Sequence, residues 1–464
     1  MNPPILRLTI LAATLTLAAC SSLIPPSQVP ATVADQWQAP LPHEGNVVAL
    51  AQWWQQQGDP LLVELINAAQ GVSPSVSQAL ARMEAARANQ AAAASALVPE
   101  VSAQYSASRG VTQIGVPMGT TQTLGLQAAW EVDLVGANKA VNNAAQAQVD
   151  GSKAQWHDAR VSVAADVANL YYDLSTCMQL LEVTRADAAS RAQTARLADI
   201  NAKAGFTAPA QAALARASAA EANNRVVQQS TQCALNTKAM VALTGLAEAD
   251  LQPQLQAALA QPLHAKPLAV THVPAQTIAQ RPDVFSAERD VAVAAAQVGS
   301  AKAQRLPRLT LNGSIGALRF SANDADQDLN TWSFGPLALN LPLFDNGKRA
   351  AAVQSAEAAY ATSVVTYQGK VRQAVREVEE ALVNLQSTDA RSADTEVSAQ
   401  GYDEALQATE QRYRQGFASL VELEDARRTA LAAKSTQLNL LLERNRAWVA
   451  LYRALGGGWD ANTP

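Results

Sequence analysis

The stretch ANKAVNNAAQAQVDGSKAQWHDARVSVAADVANLYYDLSTCMQLLEVTRADAASRAQTARLADINAK, Ala137 to Lys203, sets the architecture. It contains no proline, and its lone glycine is Gly151. Val163, Val167, Leu170, Leu174, Cys177 and Leu181 follow one another at alternating steps of four and three, a coiled-coil seam. A helix over this run of about 67 residues would extend roughly 100 Å. A compact domain cannot contain such a rod, whereas an envelope-spanning bundle can.

Outward from this run the pattern is written twice. Val371, Val375, Val378, Leu382 and Leu385 repeat the seam spacing 208 residues later. Ala204-Gly205-Phe206 has a counterpart in Gln415-Gly416-Phe417, and Leu97-Val98-Pro99 in Arg305-Leu306-Pro307. Each half is therefore expected to be one structural repeat. A descending helix (Ala137 to Lys203; Lys348 to Arg414) turns at a glycine and returns over a shorter one (Pro209 to Gly245; Ala418 to Leu455). A helix of about two dozen residues (Pro74 to Ala96; Pro282 to Gln304) makes up the difference by stacking end to end on the return.

Between these helices the period changes to two. Val101 and Tyr105 alternate with Ser102, Gln104, Ser106 and Ser108; Leu124, Leu126, Ala128, Trp130 and Val132 alternate with Thr123, Gly125, Gln127, Glu131 and Asp133. Leu309, Leu311, Ile315 and Ala317 alternate with Thr310, Asn312, Ser314 and Gly316, and Trp332 to Phe344 continues the alternation with a phase shift at Pro336 that predicts a bulge or an edge. These are strands with one apolar and one polar face, long enough to cross a bilayer at a tilt. Four strands cannot close a barrel, for which about eight is the minimum, so a spanning barrel needs further copies of the chain.

Composition narrows the function. With 48% hydrophobic and 16% charged residues and a net charge of -5, the chain is neither a solvating tail nor a basic nucleic-acid binder, so no nucleic-acid partner is expected. Arg7, an apolar core from Leu8 to Leu17 and Leu17-Ala18-Ala19-Cys20 read as a secretion signal too short to span a bilayer. Leu-Ala-Ala-Cys resembles the bacterial lipobox, which implies cleavage before Cys20, N-palmitoyl and S-diacylglycerol groups on that cysteine, and, since Ser21 is no retention signal, delivery to the outer membrane. His43, His157, His264 and His272 lack metal-ligand spacing, no GxSxG elbow occurs, and Gly347-Lys348 lacks the remainder of a phosphate loop. Neither enzyme chemistry nor a metal or other cofactor is expected.

The order and spacing of several motifs resemble the TolC-type outer-membrane efflux proteins, in the lipoprotein branch serving resistance-nodulation-division pumps. They are Ala51-Gln52-Trp53-Trp54 with Gly58-Asp59-Pro60 and Leu65-Ile66; Trp130 to Gly136; Gln280-Arg281-Pro282-Asp283 with Ala287-Glu288; Ala301-Lys302-Ala303; Leu341 to Gly347; and Arg412-Tyr413-Arg414-Gln415-Gly416. The resemblance covers nearly the whole mature chain. It implies an α+β membrane protein: a homotrimer with a shared twelve-stranded transmembrane β-barrel, four strands per chain, continued by a coiled-coil periplasmic tunnel. It also implies a periplasmic adaptor (membrane fusion) protein and an inner-membrane pump as partners, and passive conduction of small molecules such as drugs. A duct for type I protein secretion and a non-conducting envelope lipoprotein are the alternatives. The expected organisation is a leader over 1–19, an anchor, linker and short helix over 20–72, helices over 73–96 and 137–245, and a β-hairpin over 97–134. An equatorial segment over 246–281, helices over 282–304 and 347–455, a second β-hairpin over 305–344 and a tail over 456–464 complete it.

The hairpin ends carry the candidate site. Tyr413 and Arg414 precede the Gly416 turn, and Val421, Glu422, Asp425 and Arg428 follow on one helical face. By resemblance they are aperture residues: an apolar ring at Val421, carboxylates at Glu422 and Asp425 that favour cations, and Tyr413, Arg414 and Arg428 linking neighbouring helices. Solvated charges at an ordinary helix end are the plainer alternative. The first half departs from this pattern, with Lys203, Gln211 and Leu214 at the matching positions; Asp199 and Lys203 are expected to pair across to the other hairpin. Cys177 and Cys233 lie 28 residues before and after Gly205, at one height of an antiparallel hairpin in an oxidising compartment, and are expected to form a disulfide.

Overall fold

The computed structural model describes residues 24–31, 37–38, 53–111, 118–260, 262–265, 278, 281–322 and 325–459. The leader over 1–19, the expected lipidation site Cys20 and the end of the tail lie outside them. In chain order the elements are helices α1 (Trp53–Gln56), α2 (Pro60–Val72) and α3 (Pro74–Ser95), strands β1 (Glu100–Gly110) and β2 (Gly119–Val132), and helices α4 (Ala137–Lys203), α5 (Pro209–Thr244), α6 (Glu248–Ala258) and α7 (Pro282–Ala303). Strands β3 (Arg308–Ala322) and β4 (Ala325–Asn340) and helices α8 (Lys348–Arg414) and α9 (Leu420–Ala454) follow. Both α4 and α8 are unbroken over 67 residues. No described helix is long and apolar enough to cross a membrane. The chain divides into two compact units, one holding Leu80–Gln155 and Val284–Lys370, the other Trp156–Asp283 and the chain from Val371 onward.

The first unit contains one antiparallel sheet in the order β1-β2-β3-β4. Its register matches like with like. Tyr105 stands opposite Leu124, Leu126 opposite Ile315, and Ile315 opposite Trp332; on the other face Ser106 Oγ meets Thr123 Oγ1 at 2.6 Å and Ser314 Oγ meets Ser333 Oγ at 2.8 Å. Much of the apolar face is exposed: Tyr105, Leu124, Ile315, Trp332, Phe334 and Leu339 are all more than half exposed, while Trp130, Leu309 and Leu311 are half-buried. From Leu309 to Ala317 this band runs about 26 Å along the strand. The Arg319–Asp328 pair (2.7 Å) continues the same face beyond it. At Pro336 the ladder shifts, Leu311 facing Leu337 but Gly313 facing Phe334, because proline has no N–H to donate. Gly125 and Gly316 face each other so closely that a Cβ at Gly316 would lie 2.6 Å from the Leu124 carbonyl oxygen. Strands β1 and β4 are outermost, each with one ladder edge uncovered by any described strand.

In the second unit the seams are the core. Val163, Val167, Leu174, Cys177 and Leu181 of α4 and Val371, Val378, Leu382 and Leu385 of α8 are buried. Trp53 and Trp54 pack on Tyr452, with ring centroids 5.1 and 4.7 Å away. Asp59 caps α2 by accepting from the Leu61 and Leu62 N–H groups and also accepts the Tyr171 hydroxyl proton at 2.7 Å. Burial and this carboxylate push the Tyr171 hydroxyl well above its ordinary pKa. Arg281 is buried, donates to the last helical carbonyl of α9 at Ala454 (3.1 Å), and pairs with Asp283 (2.9 Å) and Glu377 (2.7 Å). Burial lowers its pKa, but the two carboxylates outweigh that and raise it.

Candidate functional site

Both hairpins of the second unit turn through one hydrogen-bond pattern. Phe206 N–H donates to the Asn201 carbonyl at 2.9 Å, and Phe417 N–H to that of Arg412 at 2.8 Å. Gly205 and Gly416 each adopt φ 81°, a left-handed conformation that L side chains resist, with nothing near enough to obstruct a Cβ. The glycines are therefore required by the backbone alone. Phe206 and Phe417 protrude from the turns, 85% and 73% exposed. Pro209 opens α5, whereas α9 opens with a capping box in which Ser419 Oγ accepts from Glu422 N–H at 3.1 Å and the Glu422 carboxylate accepts from Ser419 N–H at 2.6 Å.

The residues singled out at the Gly416 turn have different surroundings. Val421 is exposed. Glu422 is held by the capping box and lies 3.8 Å from Arg412; those hydrogen bonds from Ser419, then the guanidinium, draw its pKa below the usual carboxylate value. Asp425 pairs with Arg428 and Arg414 with Glu410 (3.6 Å), each within one helix. Among the described residues Arg414 and Arg428 each pair with a carboxylate one turn away on their own helix rather than across to a neighbouring one. Tyr413 packs against the cluster formed by Ala195, Ala198, Ala212, Ala215 and Leu420. Its burial raises the hydroxyl pKa, against the nearby Arg427 and with Glu424. Asp199 pairs with Arg216, on the returning helix of its own hairpin, and not across to the other. Cys177 and Cys233 are joined as a disulfide with Cα atoms 5.6 Å apart.

What links the two hairpins lies on the buried face of the same turns of α9. Arg191 of α4, 7% exposed, grips both oxygens of Asp187 (2.8 and 2.9 Å), donates to Ser218 Oγ of α5 (2.7 Å) and pairs with Glu424 of α9. Arg427 of α9, 3% exposed, donates to Glu424 (3.1 Å), to Ser190 Oγ (2.7 Å) and Thr194 Oγ1 (2.9 Å) of α4, and to Glu410 of α8 (3.4 Å). Arg225 completes the set at 3.4 Å from Asp187. Three guanidiniums thus meet three carboxylates on four helices, so charges that would be costly to bury alone compensate one another. The sequence held a signal for them. Leu420, Leu423, Arg427 and Ala430 step by three, four and three, as do Leu181, Thr184, Ala188, Arg191, Ala195 and Ala198 at steps of three and four. Arg191 and Arg427 therefore occupy seam positions that call for apolar side chains, and Glu424 and Arg427 lie off the exposed face of α9 that carries Val421, Glu422, Asp425 and Arg428.

An amphipathic sheet with much of its apolar face exposed, together with long paired helices, is also the pattern of known proteins. The family described as outer membrane efflux protein matches residues 65–259 and 273–457. The pyoverdine export outer membrane protein OpmQ of Pseudomonas putida is 29% identical, over 99% of this chain and 98% of its own length. The outer membrane protein OprJ of Pseudomonas aeruginosa is also 29% identical, over 99% of this chain and 97% of its own. The solved outer-membrane channel OprN superposes with a TM-score of 0.82 at 26% identity, covering 94% of this chain and 98% of that one. The chain belongs to the outer membrane efflux protein family and is an outer-membrane efflux channel component of a Gram-negative bacterium.

Proposed function

We propose that three copies of the chain form one duct, each giving four strands to a twelve-stranded barrel and its helices to a periplasmic tunnel. The observation that carries this reading is the sheet: four strands whose outer edges no described strand covers, with an apolar face on which Tyr105, Leu124, Ile315, Trp332, Phe334 and Leu339 are each more than half exposed. In lipid, uncovered ladder edges cost several kcal/mol per unsatisfied group, and closure removes them. Symmetric copies supply the missing strands, with the Ser106 and Ser314 face turned to a water-filled lumen. The matching 67-residue helices and the identical glycine turns support two structural repeats per chain.

The duct conducts passively and catalyses nothing; a periplasmic adaptor and an inner-membrane pump deliver the cargo, and lipid on Cys20 anchors the chain. The relationship to a pyoverdine exporter supports a small-molecule cargo. The aperture is formed by the hairpin ends, where Val421, Glu422 and Asp425 recur around the three-fold axis and favour cations. The buried set of Arg191, Glu424 and Arg427 holds the second hairpin against the first in the resting state. Single-channel recording of the purified protein in a planar bilayer, with its oligomeric mass, tests this reading: trimers giving small cation-selective currents support it, and silent monomers refute it.

A further inference from the structure

The second unit contains a covalent modification that the channel reading does not use. The Cys177–Cys233 disulfide ties α4 to α5 across 56 residues of chain. Both residues are buried, at 5% and 8% exposure, between Leu181 and Val226. The Gln229 amide lies over the pair, donating to Cys177 Sγ at 3.2 Å and to the Cys177 carbonyl at 3.3 Å. Thiol–disulfide exchange needs an external sulfur to approach the attacking one in line, and this packing leaves no approach once α5 lies on α4. The chain has three cysteines, of which acylation would block Cys20 as a thioether. Two thiols then remain, and two thiols have one possible pairing.

We propose that this cysteine pair is the substrate of an exported dithiol oxidase that acts before the first hairpin packs, and that maturation requires no disulfide isomerase. One cysteine thiolate attacks the oxidase disulfide, forming a mixed disulfide and releasing one oxidase thiolate. The second cysteine thiolate then attacks the mixed disulfide, forming the Cys177–Cys233 bond and releasing the other. Two electrons and two protons pass from the chain to the oxidase, whose disulfide becomes a dithiol. The oxidised hairpin is held at one height, roughly 20 Å along α4 from Arg191. The uniqueness of the pairing rests on acylation of Cys20; the need for an oxidant does not.

The test counts thiols on the full-length protein purified from three strains: unaltered, lacking exported dithiol oxidase activity, and lacking only isomerase activity. A maleimide polymer that adds a fixed mass per thiol is applied after denaturation, with and without prior reduction. Protein from the unaltered and isomerase-deficient strains is expected to gain no label before reduction and two labels after it; protein from the oxidase-deficient strain gains two without reduction. Hydrogen exchange at residues 177–195 in that oxidase-starved protein, and in a Cys177→Ala, Cys233→Val variant, should be at least tenfold faster. Free thiols in the unaltered strain, an intact disulfide without the oxidase, or unchanged exchange in both forms that lack the bond would overturn the proposal. Loss of the bond without the isomerase would do the same. A third label after reduction would instead remove the acylation of Cys20, and with it the unique pairing, while leaving the oxidase requirement standing.

Discussion

Arg427, at the start of α9, donates to Thr194 Oγ1 on α4 at 2.9 Å although the two residues are 233 positions apart. One buried guanidinium therefore holds the ends of two hairpins together. Removing one partner of a buried charge set costs about 3–5 kcal/mol. Glu410 and Glu424 are 22% and 17% exposed, which argues for the lower end. Arg427→Ala is expected to accelerate hydrogen exchange at residues 187–198 and 420–430 by about 100-fold. Arg428→Ala, which removes an exposed pair, should change it less than threefold.

Gly205→Ala and Gly416→Ala should each destabilise the hairpin end by about 1–2 kcal/mol, the cost of a left-handed conformation for an L residue. Space is open at both sites, so the two substitutions should cost the same, and a larger side chain at either should cost little more. Thermal melts of the purified protein would read both.

Ser419→Ala removes one half of the α9 capping box and is expected to cost about 1 kcal/mol. It should also let the Glu422 carboxyl return part of the way toward its ordinary pKa, because the contribution of the Ser419 side chain is lost while the larger one, from the Ser419 backbone N–H, remains. Because the folded pKa is lowered, the contribution of ionised Glu422 is complete above the ordinary carboxylate range and is lost as pH falls through the folded value. Fraying of the first turn of α9, followed by exchange between pH 7 and pH 3, should therefore set in on acidification, and Ser419→Ala should weaken that dependence in part, since the Ser419 backbone N–H still holds the carboxylate.

Most of the scaffold was legible in the sequence because it is periodic. The seven-residue seams mark α4 and α8, the two-residue alternation marks the strands, and Pro336 marks the break in the β3–β4 ladder. What was not legible depends on partners far apart in the chain. Arg191 and Arg427 sit where the seam calls for apolar residues, and only the fold brings Glu424, Ser218 and Ser190 within reach of them. Asp199 could be assigned a partner only once α5 had returned alongside α4, bringing Arg216 to it. Arg281 is likewise explained by Ala454, 173 residues away.

The sheet reading makes an asymmetric prediction. Ile315→Lys, on the exposed apolar face, should reduce the stability of the membrane-inserted protein by about 2–4 kcal/mol if that position lies near the bilayer midplane. Ser106→Lys, on the opposite face, should leave stability nearly unchanged and lower cation selectivity. Denaturant titration in lipid vesicles separates the two.

Single-channel conductance of the mature protein beside Asp425→Ala, on preparations whose mass is known, distinguishes a trimeric duct with an acidic aperture from a non-conducting chain. Trimers that carry small cation-selective currents are expected, with selectivity reduced in the variant. Absence of current from both proteins, with a monomeric mass, would contradict the duct; unchanged selectivity in a conducting trimer would contradict the acidic aperture.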